Sequence, residues 1–349
     1  MSKDDRIEIK DIFEAHGRST WHVLCDDNLG YYIPSYQREY SWGKSNIERL
    51  FEDTTHGMKL LINSGDSITF IGTIIAIHDT KYQTVEPIVK PDMPGKVMLI
   101  IDGQQRMVTL SLLFTVLYDL IRVESNRFAS EEEEEFRWLF FKAKEVLTSL
   151  GKTFQFDMVH GDEKGGKNYG WYPRIIRSLD DTWSRQSKYA RYESPIAHYL
   201  FSFLNYIQSK DKKPYKHAIP EGKPSLVAKH GVVDDNCKLI KRKINDISKG
   251  ANSYLEMPQI NEMINSKIFQ DTIFNDQIPE HVKVVLSSKE TDSRTENYKK
   301  LFRKVVLAKF IMDRMALTVV SAKNEDYAFD MFEALNTTGE PLTAFETFK

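Results

Sequence analysis

Residues 97–122 read VMLIIDGQQRMVTLSLLFTVLYDLIR, and the stretch changes character once. Val97 to Ile101 is a short unbroken apolar run that predicts a strand. From Met107 to Arg122 the apolar residues Leu110, Leu113, Phe114, Leu117, Leu120 and Ile121 recur at helical spacing. Asp102-Gly103-Gln104-Gln105-Arg106 therefore occupies a strand-to-helix turn. Gly103 permits a left-handed turn, and the first amides of the helix present unpaired donors at a positive dipole end. Phosphates are held in this way without a metal. Arg106 could clamp an anion with two donors, while Gln104 and Gln105 supply neutral donors and acceptors. The plainer reading is that these side chains only cap a helix, which would leave Thr109 on its surface.

On the N-terminal side, Tyr31-Tyr32-Ile33-Pro34 reads as extended, because the residue before a proline is pushed away from helical dihedrals. It leads into Ser35-Tyr36-Gln37-Arg38-Glu39-Tyr40-Ser41-Trp42, which joins stacking faces to bidentate side chains. That chemistry suits holding a base and reading its edge. An aromatic core segment with one snorkelling arginine would look the same. Ser45 and Glu48 have capping-box spacing for a helix running to about Leu61 and closed by Gly65. Ile68 to His78 predicts a buried strand in which Gly72 marks a close backbone approach.

On the C-terminal side, Ser130 before five glutamates predicts a helix N-terminus, continuing through Leu147. A boundary near residue 150 is expected, with Pro195 to Ile207 helical and Lys210 to Lys229 a loop. Glu296 to Asp313 predicts a helix, Met315 to Val320 a strand and Glu325 to Leu335 another helix, broken at Asn336-Thr337-Thr338-Gly339. Thr343 and Glu346 repeat the capping-box spacing and start a helix that the chain leaves after three residues, so a continuation beyond Lys349 is expected. The fold class is α+β, with an N-terminal core over 1–150 and a mainly helical region over 151–349.

Composition narrows the function. Over 349 residues, 41% hydrophobic and 28% charged describe an ordinary globular chain. With 48 Lys+Arg against 50 Asp+Glu the net charge is −2, so attraction to nucleic acid must come from a local face. Cys25 and Cys237 lack CxxC spacing, which removes a zinc ribbon, a thioredoxin motif and a disulfide framework and makes a reducing cytoplasm the simplest location. No apolar run spans a membrane. The nine histidines show no HExxH spacing and are expected to be satisfied core or surface residues. No GxSxG nucleophile motif occurs. Gly161 to Asn168 nearly matches a phosphate loop, but Asn168 stands where Ser or Thr should bind magnesium, and Gly170, Trp171 and Pro173 oppose the helix that must follow. A glycine-rich loop is expected there. Basic clusters at Lys238–Lys243 and at Lys299, Lys300, Arg303 and Lys304 could face a phosphate backbone or form solvated faces.

Four segments, Ile33–Trp42, Phe70–Ile74 (FIGTI), Ile101–Arg106 (IDGQQR) and Phe332–Thr343 (FEALNTTGEPLT), resemble in content and order the GmrS-like domain of GmrSD-type modification-dependent (type IV) restriction proteins. They are similar also to the N-terminal domain of SspE-type phage-defence proteins, which recognise phosphorothioated DNA. The resemblance covers nearly the whole chain, with little carried by 125–295. It implies a ParB/sulfiredoxin-like core, NTP (GTP or ATP) hydrolysis and sensing of modified phage or host DNA, in control of a separate HNH-type nuclease domain. By position it assigns nucleotide chemistry to Asp102, Gln104, Gln105 and Arg106, with Gly103, Thr109, Asn336 and Gly339 as nucleotide-binding residues. It assigns DNA sensing to Pro34, Tyr36, Gln37, Arg38, Tyr40 and Trp42. Asp102 could bind Mg2+ or polarise the attacking water, and both roles stay open. Self-association into a homo-oligomer is compatible with this reading. The alternatives are a non-enzymatic DNA- or nucleotide-binding module and a ParB-like nickase, the latter lacking an evident carboxylate or histidine cluster.

Overall fold

The computed structural model describes residues 12–26, 29–78, 94–161, 167–184, 189–209, 213–250, 257–290 and 292–337, with side chains except at 156–161, 167–171, 325 and 334–337. In chain order the elements are β1 (Phe13–Ser19), α1 (Thr20–Cys25), β2 (Leu29–Ile33), α2 (Lys44–Leu61), β3 (Thr69–His78), β4 (Lys96–Asp102), α3 (Gln104–Ser125) and α4 (Glu134–Phe154). There follow β5 (Gln155–Gly161), β6 (Lys167–Pro173), β7 (Ile175–Arg177), β8 (Asp181–Thr182), β9 (Arg191–Tyr192), α5 (Pro195–Gln208) and α6 (Pro224–Lys249). The last are α7 (Ile260–Asn265), α8 (Lys267–Phe274), α9 (Glu280–Ser287), α10 (Ser293–Arg314), β10 (Met315–Ala322) and α11 (Glu325–Thr337).

Six strands form one mixed sheet in the order β1-β10-β3-β4-β2-β7. β4, β2 and β7 run parallel to one another, as do β10 and β3, while β3 is antiparallel to β4 and β1 to β10. Alternate residues go to opposite faces. Ile74, Ala76 and Ile100 join the large core under the helices, whereas Ile75, Ile77, Val97, Leu99 and Ile101 join a second cluster with Trp183, Tyr192 and Ala328. Burial on both faces explains why these strands read as unbroken apolar runs. β7 and β10, from beyond residue 150, belong to this sheet, and α4 passes through residue 150.

The mixed architecture is the expected α+β class, and β2, β3, β4, β10, α2, α3, α4, α5, α10 and α11 fall near where the sequence places them, whereas α6 begins at Pro224, inside the stretch expected as a loop. Several helix starts differ, α10 for one beginning at Ser293 and not Glu296. α3 begins at Gln104, so Gln104, Gln105 and Arg106 form its first turn instead of a preceding loop. α2 begins at Lys44 after Gly43, whose amide donates to Asn46 Oδ1 (3.2 Å), so Ser45 is inside the helix and not its cap. α4 begins at Glu134, four residues after Ser130, and extends to Phe154. The near-match to a phosphate loop belongs to an antiparallel β5–β6 hairpin, with Gly161 paired to Lys167 and residues 162–166 outside the described residues. The expected helix start at Thr343 also lies outside them.

Two glycines set the backbone around the α3 N-terminus. Gly103 has φ +89°, and a Cβ there would meet Thr73 O at 3.1 Å and Ile74 Cγ1 at 2.9 Å. Gly72 has φ +110° and sits where the β10–β3 register slips, two β3 residues opposing Leu317. That bulge opens the strand beside Arg106. Gly103→Ala is expected to lower the unfolding free energy by about 1–2 kcal/mol from left-handed backbone strain alone. Gly17→Ala, in open space on β1, should leave it unchanged or raise it by up to about 1 kcal/mol. Urea titrations of both variants check the pair.

Candidate functional site

The parallel strands β4, β2 and β7 deliver three chain segments to one place. β4 ends at Asp102 and enters α3, β2 ends at Ile33 and enters the 34–43 segment, and β7 ends at Arg177. In open α/β sheets ligands bind beyond the carboxyl ends of the strands, and here those ends are next to one another.

The first turn of α3 grips the 37–42 segment through amides. Gln104 Nε2 donates to Gln37 Oε1 (3.1 Å) and to the Arg38 carbonyl (2.7 Å). Gln105 accepts from the Ser41 and Trp42 amides (2.8 and 3.2 Å) and donates to the Glu39 carbonyl (2.9 Å). Gln37 Nε2 donates to the Ile101 carbonyl (2.5 Å), which closes the loop onto the end of β4. An amide is the right group, because it donates and accepts at once and costs little to bury once both ends are paired. Both α3 glutamines are buried, with both ends of the Gln105 amide and the Nε2 of Gln104 committed to this segment.

Arg106 turns the other way. Its Nη1 donates to the Thr73 carbonyl (2.6 Å), and its guanidinium lies where a Gly72 Cβ would come within 2.9 Å. Burial pushes its pKa below the usual arginine range, opposed by the nearby Asp102 carboxylate. The Asp102 and Arg38 side chains make no hydrogen bond or ion pair among the described residues, and no side chain caps α3. The unengaged groups at this end are thus a carboxylate, an exposed guanidinium and the first-turn amides.

Of the remaining expected residues, Pro34 is buried and its carbonyl accepts from the Gln37 amide (3.1 Å). Thr109 is fully buried, not on the surface, and its hydroxyl meets Tyr40 Oη (2.8 Å). The Tyr40 phenol is pushed up to about 12 by burial and also accepts from Asn236 Nδ2 (3.1 Å). Trp42 is half-buried with its carbonyl bound by Asn236 (2.7 Å), while Tyr36 is exposed with its ring 5.8 Å from that of Phe329 on α11. α11 carries Asn336 near its end, and Gly339 lies outside the described residues.

Three braces are absent from the sequence reading. Arg177 donates to the Gln37 and Arg38 carbonyls (2.5 and 3.3 Å), Lys229 pairs with Glu39 (2.5 Å), and Asn236 holds Tyr40 and Trp42. Each lies over a hundred residues from its partner, where local patterns give no signal. Most residues of the basic clusters are spent internally. Lys243 pairs with Glu48, Lys238 with Asp234, buried Lys304 with Glu124, Lys299 with Glu296, and Arg303 donates to Ser248 O. Cys25 and Cys237 are free thiols, and no described helix is long and apolar enough to cross a membrane.

The parallel ends of a mixed sheet bring the Asp102 carboxylate, Arg106 and an uncapped helix start beside the 34–43 segment of an α+β protein. The sequence matches the family described as GmrSD restriction endonuclease, N-terminal domain, over residues 20–349, and the chain belongs to that family. It is thereby a restriction-system module. No individually curated protein matches it.

Gln105→Ala removes three hydrogen bonds at once, leaving part-buried backbone groups unpaired. It should cost about 1–3 kcal/mol. Hydrogen exchange read by mass spectrometry should show faster exchange over 37–42, with β4 unchanged; equal protection in variant and parent would disprove the clasp.

Proposed function

We propose that the chain is the nucleotide-hydrolysing, DNA-sensing module of its restriction system, controlling an HNH-type nuclease domain. What supports this reading above all is the convergence of the 33–42, 70–74 and 101–106 motifs on one helix N-terminus with Arg106 held inside. A triphosphate placed there meets the first-turn amides of α3 and, from either side, Arg106 and Arg38. The first-turn amides and Arg106 are fixed before the reaction, so they stabilise charge developing on the transferred phosphoryl oxygens without reorganising. Asp102 carries an unengaged carboxylate, which fits a Mg2+ ion shared with phosphate oxygens, the usual donor set for that ion. Such an ion would neutralise phosphate charge.

DNA meets the same segment from outside. Tyr36 and Arg38 are exposed, offering a stacking face and a phosphate or base contact, whereas Gln37, Tyr40 and Trp42 anchor the segment. Because Gln37 bonds both the end of β4 and Gln104, movement of the segment on DNA is felt at the nucleotide site.

One observation favours a second reading, a binding module without turnover. Gln105 is committed to main-chain groups at both ends of its amide and Gln104 through its Nε2, so of the two only the Gln104 oxygen is left to orient a water. Under that reading DNA or nucleotide binds with strong salt dependence and no phosphate is released.

Purified chain should release phosphate from GTP or ATP in the presence of Mg2+. Arg106→Ala should reduce turnover by ~100-fold or more, as expected for loss of a preorganised charged donor, with an unchanged circular dichroism spectrum. Equal turnover would reject the site, and no turnover in the parent chain with tight nucleotide binding would select the second reading.

A further inference from the structure

Where α5 and α6 pack lie three histidines that the anion site does not use. His198 is on α5, His217 on the connection between α5 and α6, and His230 on α6. Each offers a ring nitrogen, and the three nitrogens lie within 4.8 Å of one another. His198 Nδ1 and His217 Nε2 are 3.3 Å apart. Zinc–nitrogen bonds of ~2.0–2.1 Å in a tetrahedral shell put neighbouring ligand nitrogens ~3.3–3.4 Å apart, so this pair already has the required separation.

We propose that His198, His217 and His230 bind one divalent cation of the zinc class, with the Asp234 carboxylate in its outer shell. His230 is fully buried, and neither of its ring nitrogens has a hydrogen-bond partner of good geometry, the Glu193 backbone being its polar neighbour. His217 Nδ1 is likewise buried and unbonded, 3.9 Å from Asp234 Oδ1. Buried polar groups are normally satisfied, so the orphaned nitrogens of His230, beside the His198–His217 pair, point to a missing partner. Packing alone does not explain the choice, because phenylalanine would fill the space without orphan nitrogens.

The surroundings follow the second-shell rule for metal-bound histidines, in which the ring nitrogen away from the ion faces a carboxylate. Asp234 does so for His217 and is itself held by Lys238 (2.7 Å). His217 and Asp234 also line a cavity of about 390 Å³, which provides an entry path and room for water as fourth ligand. The ion would tie α5, the connecting segment and α6 together beside Lys229 and Asn236, the α6 residues that hold the 39–42 segment.

The test uses the full chain, stripped with chelator and titrated with Zn2+ and Co2+ without nucleotide, so its outcome does not depend on hydrolysis. Calorimetry should give one ion per chain, Co2+ should show the intense visible absorption of a tetrahedral site, and Zn2+ should raise Tm. His217→Gln should abolish all three signals, and Asp234→Asn should weaken binding by ~10–100-fold. Should His217→Gln fail to fold, His198→Gln serves in its place. Absence of stoichiometric binding in the parent chain, or equal binding in a folded histidine variant, would overturn the proposal.

Discussion

The grip of the first turn of α3 on the chain leaving β2 is the constraint from which the site follows. Gln104 and Gln105 hold it by five hydrogen bonds to residues 37–42, and Gln37 adds a sixth to the end of β4. Without them the 34–43 segment would be an exposed aromatic loop and the helix start would face open water. With them, two chain segments more than sixty residues apart in sequence become one rigid surface.

The glutamine amides that hold it are polar and buried, which places demands on their surroundings. Each buried amide must be paired, and the partners here are carbonyls and amides of an otherwise irregular segment. Arg177, Lys229 and Asn236 complete the pairing from outside, so the second half of the chain fixes the conformation of a motif in the first. Arg106 is placed by a different device. Gly72 gives up its side chain and the β3 ladder slips by one residue, and the guanidinium occupies the space. A cation in that position is stabilised by one carbonyl and by Asp102 at some distance, which leaves much of its charge for a ligand.

The fold was legible where apolar periodicity was strong. β3, β4, α3 and α10 appear within a few residues of their expected bounds, because burial on both faces or on one stripe writes itself into local sequence. Helix starts were less legible. Ser45 and Ser130 have the right chemistry for caps, yet Gly43 and Glu133 take those positions, since tertiary packing fixes where each helix enters. At the site, the spacing around Gly103 exposed the turn, and Gly72 signalled the close approach that Arg106 makes. The direction of the glutamine amides was not legible, because a glutamine at a helix start reads alike whether it faces a ligand or a neighbouring backbone. The histidine cluster was hidden for the same reason as Arg177: its members meet only after α5 and α6 pack.

The α3 N-terminus is the place proposed to hold phosphate. A crystal structure of the full chain with a non-hydrolysable nucleoside triphosphate analogue tests this directly. The phosphates should lie against the first-turn amides of α3, within hydrogen-bond reach of Arg106 and beside Asp102. Nucleotide bound elsewhere on the chain, with Arg106 still directed only at Thr73, would contradict it.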